Sequence, residues 1–228
     1  MSRIDYEARN DVAVLHWDDG KANTVSADSV GELNDALDRV TEENAKAVVL
    51  EGRTGRFCAG FDLGELRSSR EASSSLVRSG AELALRLFGF PVPTLIACTG
   101  HALGMGAVLL MSADVRYGAS GDHKIALNES NIGMHLPTFA VELARERLSK
   151  RHITRSAILG EIYEPSGAVD AGFLDRACSA ETLLDETVAE AARIASYSGP
   201  HVSRSRLGFR QPAIDVIRTS LDHEFPIN

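Results

Sequence analysis

Two glycine-punctuated stretches carry residue types and spacings that could do chemistry. GHALGMGAVLL, Gly100 to Leu110, follows one apolar run and opens another. It lacks the Lys-Ser/Thr with which a nucleotide loop reaches phosphates and magnesium, and its glycines are spaced GxxxGxG rather than GxGxxG. What it offers is close backbone approach, with N–H groups left unpartnered where a helix starts. Aided by the helix dipole, such donors suit an oxygen that becomes negative during a reaction. The plainer alternative is glycine and alanine used for tight helix–strand packing. RFCAGFDL, Arg56 to Leu63, has the same character, with small residues leading into a capped helix. Two such loops could each give one N–H to a single carbonyl oxygen, which makes an oxyanion hole.

Other chemistries find less support. Cys58, Cys98 and Cys178 are far apart and form no CxxC pair, and the odd count fits reduced thiols in a cytoplasmic protein. Cys58 and Cys98 sit in apolar runs and read as small buried residues. The seven histidines show no HxxxH or HxxEH spacing, so no metal site is expected. No GxSxG elbow points to a serine hydrolase. The net charge of −8 over 228 residues argues against a nucleic-acid or anionic-membrane surface, since both need clustered Lys and Arg. SKRH, Ser149 to His152, is a short basic knot that reads as a helix end. Hydrophobic residues at 44% and charged ones at 25% describe an ordinary globular protein. No apolar run reaches membrane-spanning length, and MSRIDYEARNDV has no signal-like apolar region.

The elements that must position these loops alternate between strand and helix. Ile4 to Ala8 and Val12 to Trp17 favour β structure and flank the turn residues Asn10-Asp11. Val30, Leu33, Leu37 and Val40 recur at helical spacing, with Ser26 or Asp28 as N-cap. AVVLEG, Ala47 to Gly52, is a continuous apolar strand of the kind buried on both faces. Asp62 and Glu65 have the spacing of a capping box. Serine dominates Arg67 to Ser75, which predicts an exposed loop. A helix with Leu83, Leu87 and Phe90 ends at Pro91 to Pro93. TLIACT is a strand, and Gly100 then opens a helix. Ala113 to Ala119 and His123 to Asn128 read as short strands, and Leu184, Val188, Ala192 and Ala195 mark a later helix. Ser198 to Pro200 is a boundary, with Pro212 opening a terminal helix. The alternation points to α/β.

FCAGFDL, then GHALGMGAVLLMSADVRYGA, then ALNESNIGMHLP, in this order and spacing, resembles the enoyl-CoA hydratase/isomerase (crotonase) superfamily. The resemblance runs from the N-terminal strands to about Ser198. It implies an α/β crotonase-like (ClpP/crotonase) spiral of ββα units over residues 1–198, with a helical trimerisation region over 199–228. A homotrimer or dimer of trimers follows from it. So does an acyl-CoA thioester whose carbonyl is held by two backbone N–H groups, with coenzyme A as part of the substrate and no further cofactor. Laid onto this sequence, the donors fall at Phe61 and Met105. The substrate segment takes in Lys21, Ala22, Ala59, Gly60, Asp62, Leu63 and Gly104, although Asp62 reads as a helix cap before it reads as a substrate contact.

Hydratases of the family carry two glutamates. The first, three residues after the second donor, is Val108 in this chain. The second is Glu129 in LNESNIG, and the single-glutamate pattern looks like the isomerase branch. Hydration places a water at C3 while a proton goes to C2, and Val108 can neither accept nor donate a hydrogen bond. Moving a double bond from β,γ to α,β needs one acid/base and an oxyanion hole. A Glu129 desolvated among Ile132, Met134 and Leu136 would have a raised pKa suited to that shuttle. His135 is a possible accessory group and His101 a weaker one. Arg53, Arg56 and Arg67 could attract the phosphates of coenzyme A. The alternatives are weak hydration or thioester hydrolysis on the same fold, or an acyl-CoA-binding protein without catalysis.

Overall fold

A computed structural model describes residues 3–226. The chain opens as a hairpin, β1 (Ile4–Arg9) antiparallel to β2 (Val12–Trp17). Asn10 takes a left-handed φ of 55° at its turn, a conformation Asn tolerates because its short polar side chain can bond locally. After β3 (Thr24–Val25), helix α1 (Ala27–Glu42) buries Val30, Leu33, Leu37 and Val40 as its spacing requires. Its start is a reciprocal box in which Ser26 Oγ accepts from Ser29 N and Ser29 Oγ from Ser26 N. Truncating the fully buried Leu33 to alanine would cost about 2–5 kcal/mol.

Then follow β4 (Ala47–Gly52), β5 (Gly55–Cys58), β6 (Gly60–Phe61), α2 (Leu63–Leu66), α3 (Arg70–Phe88), β7 (Thr94–Cys98), β8 (Gly100–Leu103) and α4 (Met105–Ser112). The remainder comprises β9 (Val115–Ala119), β10 (Ile125–Ala126), α5 (Thr138–Arg147), α6 (Pro165–Ala171), β11 (Arg176–Cys178), α7 (Leu183–Ala195) and α8 (Pro200–Glu224). A 3-10 turn spans Glu129–Ile132 and a π turn Thr154–Ile158.

The main sheet has the order β1-β2-β4-β7-β9-β11 and is parallel from β2 onward. Successive strand residues face opposite ways, and this sheet uses both faces. Val12, Val14, Ala47, Val49, Leu95 and Ala97 pack against Leu183 and Ala191 of α7. The intervening Ala13, Leu15, Val48, Leu50 and Ile96 face the larger core with α1, α3 and α4. A small sheet, β10-β8-β5, collects the second strand of each unit. The chain thus lays one strand in each sheet and then a helix: β4, β5 and α3, then β7, β8 and α4, then β9, β10 and α5. That is the expected spiral of ββα units.

Four local expectations fail for physical reasons. The serine-rich stretch is not a loop beyond Ser69, because Ser69 Oγ accepts from Ala72 N and caps α3 at 3.1 Å. Burial of Leu76, Ala81 and Ala84 further along outweighs the poor helix propensity of Ser73 to Ser75. That same helix stops at Phe88 with Gly89 as C-cap, so Phe90 is buried outside it. Gly100 opens β8 rather than a helix, pairing with β5 so closely that a β-carbon would lie 2.0 Å from the Gly55 carbonyl carbon. Pro212 lies within α8, whose first turn holds Pro200 instead. The residue Pro212's ring would crowd four positions back is Gly208, and Ala213, Ile214, Ile217 and Leu221 anchor the helix.

Candidate active site

The two glycine loops come together at the start of α4. In the two-stranded pair of β3 and β6, Asp62 N donates to Val25 O at 2.9 Å. Successive N–H groups of a strand point to opposite edges, so the Phe61 N–H points away from β3. Gly60, at φ 100°, shows what lies beside it: a β-carbon there would stand 3.2 Å from Leu103 O and 3.8 Å from Met105 N. Met105 is the first residue of α4, a position whose N–H has no acceptor within the helix. Gly106 permits this approach, since its β-carbon would lie 2.2 Å from Cys58 O. All of α4 is buried, and the positive end of its dipole lies at the part-buried Gly104.

Glu129 begins the 3-10 turn and reaches back to this point. Its Oε1 lies 3.3 Å from where a β-carbon on Gly104 would be. Its Oε2 is buried and has no hydrogen-bond partner. Burial raises its pKa, against a smaller opposing effect of its own backbone N–H. The turn is pinned from outside by Ser130 Oγ to Ile158 O (2.9 Å) and Asn131 Nδ2 to Gly160 O (2.8 Å). The source of desolvation differs from expectation. Ile132 and Met134 are 61% and 52% exposed, while Leu136 is part-buried against the core and Gly104 closes on Oε1.

The GKANT segment is held against the same loops, with Ala59 N donating to Ala22 O at 3.2 Å. Its shape depends on two residues that spacing and resemblance passed over, Asp19 and Asn23. Asp19 accepts from the backbone N–H of Lys21 (2.7 Å), Asn23 (2.9 Å) and Thr24 (3.1 Å). Burial pushes its pKa up, but these bonds prevail and hold it below the ordinary range. Asn23, fully buried with φ 52°, donates to Trp17 O and Phe57 O. The Asp-Asp-Gly-Lys-Ala-Asn run was the available signal, because Asp and Asn bond to nearby backbone in turns. Arg53 is committed here too, to Asp18 (3.2 Å) and Lys21 O (2.6 Å).

Asp62 caps α2 through Glu65 N at 2.9 Å, but the box is half-built. Asp62 N already serves Val25, and Glu65 turns to Ala27 N of α1 instead. Leu63 is exposed beside it, as are Lys21, Arg56 and Arg67. His101 is a packed acceptor: its Nδ1 takes Lys124 N at 2.9 Å, and its ring meets His123 edge-on. Burial, then Arg56 and neighbouring cations, lower its pKa. His135 is exposed. Val108 is 1% exposed within the core. Cys58 and Cys98 are buried thiols pushed up to about 12 by burial, which makes them inert.

The geometry offers helix-start and strand-edge donors beside one desolvated carboxylate. That set can polarise a carbonyl and move a proton next to it.

Known proteins share this frame. The Enoyl-CoA hydratase/isomerase family profile matches residues 7–223. A "probable enoyl-CoA hydratase" of Bacillus subtilis is 32% identical over 87% of this chain and 78% of its own length. The structure of an enoyl-CoA hydratase/isomerase family protein from Pseudomonas syringae superposes with TM-score 0.94 at 37% identity, covering 97% of this chain and 96% of that one. A Mycobacterium tuberculosis protein, described in one structure as an enoyl-CoA isomerase and in another as a probable enoyl-CoA hydratase, gives 0.93 at 32% in both, with 97% and 96% covered in the first and 96% and 93% in the second. Three mammalian mitochondrial relatives are longer, the chain spanning 62% to 64% of their length.

Proposed function

The chain belongs to the enoyl-CoA hydratase/isomerase (crotonase) family, and we propose that it moves the double bond of an unsaturated acyl-CoA thioester from the β,γ to the α,β position. The observation that carries this reading is Glu129, a carboxylate with Oε2 buried and unpartnered and Oε1 beside Gly104. The position where a hydratase would hold its other acid is the apolar Val108. Glu129 as carboxylate takes a proton from C2, and the C–H electron pair passes into the enolate. The oxygen charge is met by the N–H groups of Phe61 and Met105. The enolate then re-forms the carbonyl, its C1–C2 π pair moves to C2–C3, and the former C3–C4 π pair takes the proton from the Glu129 acid at C4. A raised pKa suits a group that must both accept and donate. No water is consumed, so no second acid is needed.

Lys21, Ala22, Ala59, Gly60, Asp62, Leu63 and Gly104 form the proposed substrate-binding surface. Support for Lys21, Ala22, Ala59 and Gly60 is the hydrogen bond that ties GKANT to CAGFD. His135 keeps no proposed role, and His101 is structural. A homotrimer or dimer of trimers through residues 199–228 is supported by exposed Phe209 on α8, which is 85% accessible. A cytoplasmic location is supported by the reduced cysteines; among the described residues, no helix is long and apolar enough to cross a membrane.

The test is product mass. Incubation with a 3-enoyl-CoA should give a conjugated product of unchanged mass, and crotonyl-CoA should gain little or no water. Addition of water as the main event would make the protein a hydratase, and release of free coenzyme A a hydrolase. Tight binding without turnover across many thioesters would make it a binding protein.

A further inference from the structure

We infer that Gly80, on α3, is a positioning residue that sets where the two proposed oxyanion donors stand; this rests on the roles proposed for Phe61 and Met105. Glycine is the poorest helix former after proline, yet Gly80 lies mid-way along a 19-residue helix. Its backbone makes no demand for glycine, since it is absent from the positive-φ set. The demand is spatial. A β-carbon at Gly80 would lie 2.5 Å from Phe61 Cε1 and 2.8 Å from Phe61 Cζ, with Met105 Cε at 3.6 Å. The side chains of both donor residues therefore converge on one missing methyl group.

Other mid-helix glycines sharpen the point. Gly31 on α1 and Gly208 on α8 would have nothing within 4 Å of an added β-carbon. Gly80 is buried, and its neighbours Leu76, Ala81 and Ala84 are buried with it. The helix cannot retreat without pulling these from the core. An added methyl group is thus met by movement of the Phe61 ring, by about 1 Å to restore an ordinary carbon–carbon contact. Phe61 belongs to β6, a strand of two residues held by one parallel neighbour. Such a strand has little to resist the push, so displacement of the ring carries to the Phe61 N–H. A donor misplaced on this scale costs rate by one to two orders of magnitude.

The experiment reads the thioester carbonyl directly. Infrared spectra of a bound saturated acyl-CoA, labelled with 13C at the thioester carbonyl, report hydrogen bonding as a lowered stretching frequency. The wild type should show the lowered band. Gly80→Ala should return it toward the free value, with kcat on a 3-enoyl-CoA falling about 10- to 100-fold and KM moving far less. Gly80→Ala combined with Phe61→Leu, which deletes the side-chain atoms that clash and keeps the backbone N–H, should recover the lowered band. A wild-type band that is not lowered overturns the oxyanion reading and this inference with it. A lowered band that Gly80→Ala leaves in place overturns the inference alone. Should Gly80→Ala fail to fold, the double variant must fold and show the lowered band; its failure would place the clash elsewhere and overturn the inference.

Discussion

Glu129 and Gly104 stand within a methyl group of each other, with Oε1 3.3 Å from the point a Gly104 β-carbon would occupy. Gly104 also holds φ 53° and ψ −117° as the N-cap of α4, without a side-chain cap bond. Alanine there meets two obstacles, a backbone conformation that L-residues avoid and a carboxylate in its way. Gly104→Ala should lower unfolding free energy by about 1–3 kcal/mol in urea titration. If Glu129 is the proton shuttle, kcat on a 3-enoyl-CoA should also fall by about 100-fold. Unchanged turnover in a destabilised Gly104→Ala protein would separate Glu129 from the chemistry.

Glu129→Gln tests the acid/base role and the stability cost of the same group. Turnover should drop by about 10²–10⁴-fold, while acyl-CoA affinity by calorimetry stays near wild type. The linked stability has a definite sign. Burial raises the carboxyl above its ordinary value of 4.5, so the folded protein binds the proton more tightly than the unfolded chain. The stabilising contribution is complete below that ordinary value and is lost as pH rises through the folded pKa. Glutamine has no proton to lose. Glu129→Gln should therefore be more stable than wild type at pH 8, with the gap closing near pH 4. A gap that stays constant with pH would mean that Glu129 is not desolvated.

Val108→Glu asks whether one residue separates this chain from a two-acid site. Val108 is 1% exposed and lies on a helix buried along its length. A carboxyl there must remain neutral or force the core apart. We expect unfolding free energy to fall by about 2–4 kcal/mol. Hydration of crotonyl-CoA should stay at the wild-type level, because a buried neutral acid holds no ordered water against C3. Strong hydration in a folded Val108→Glu protein would show that the pocket reaches this side chain.

Sequence legibility followed how local the cause was. The hydrophobic period of α1 and the apolar run of β4 appear in the structure over the expected residues, because burial of those side chains decides their form. The glycine loops were legible as places of close approach, although β8 within GHAL was not. Its strand form depends on Gly55, 45 positions earlier in the chain, which lies so close that a β-carbon on Gly100 would stand 2.0 Å from its carbonyl carbon. The serine-rich segment misled for a similar reason, since Ser73 to Ser75 are helical through the packing of Leu76 and Ala81. Ile132 and Met134 look apolar enough to bury Glu129 but are exposed, and only the fold reveals that Gly104 closes on its Oε1. Asp19 and Asn23 carried a readable turn signal, and their part in holding Ala22 to Ala59 needed the fold.

An ion pair ties the late strands β9 and β11 together. Arg116 on β9 has a side chain only 4% exposed, and Asp175, just before β11, meets it through Nε (2.9 Å), Nη2 (2.6 Å) and the backbone N (2.8 Å). Burial pushes the Asp175 carboxyl up, but the hydrogen bonds from Arg116 prevail and hold it below its ordinary value of 3.8. Asp175→Asn leaves a buried guanidinium without its counter-charge. Asp175 keeps 41% of its side-chain surface, so solvent screens part of the loss. The expected cost is about 2–3 kcal/mol, below the 3–5 kcal/mol of a fully buried pair. A depressed carboxyl stabilises above its unfolded pKa and loses that contribution as pH falls through the folded one. The gap between wild type and Asp175→Asn, measured by urea unfolding, should be full at pH 6 and shrink below about pH 4. A gap that persists unchanged to pH 3 would mean that geometry, not charge, is what Asp175 supplies.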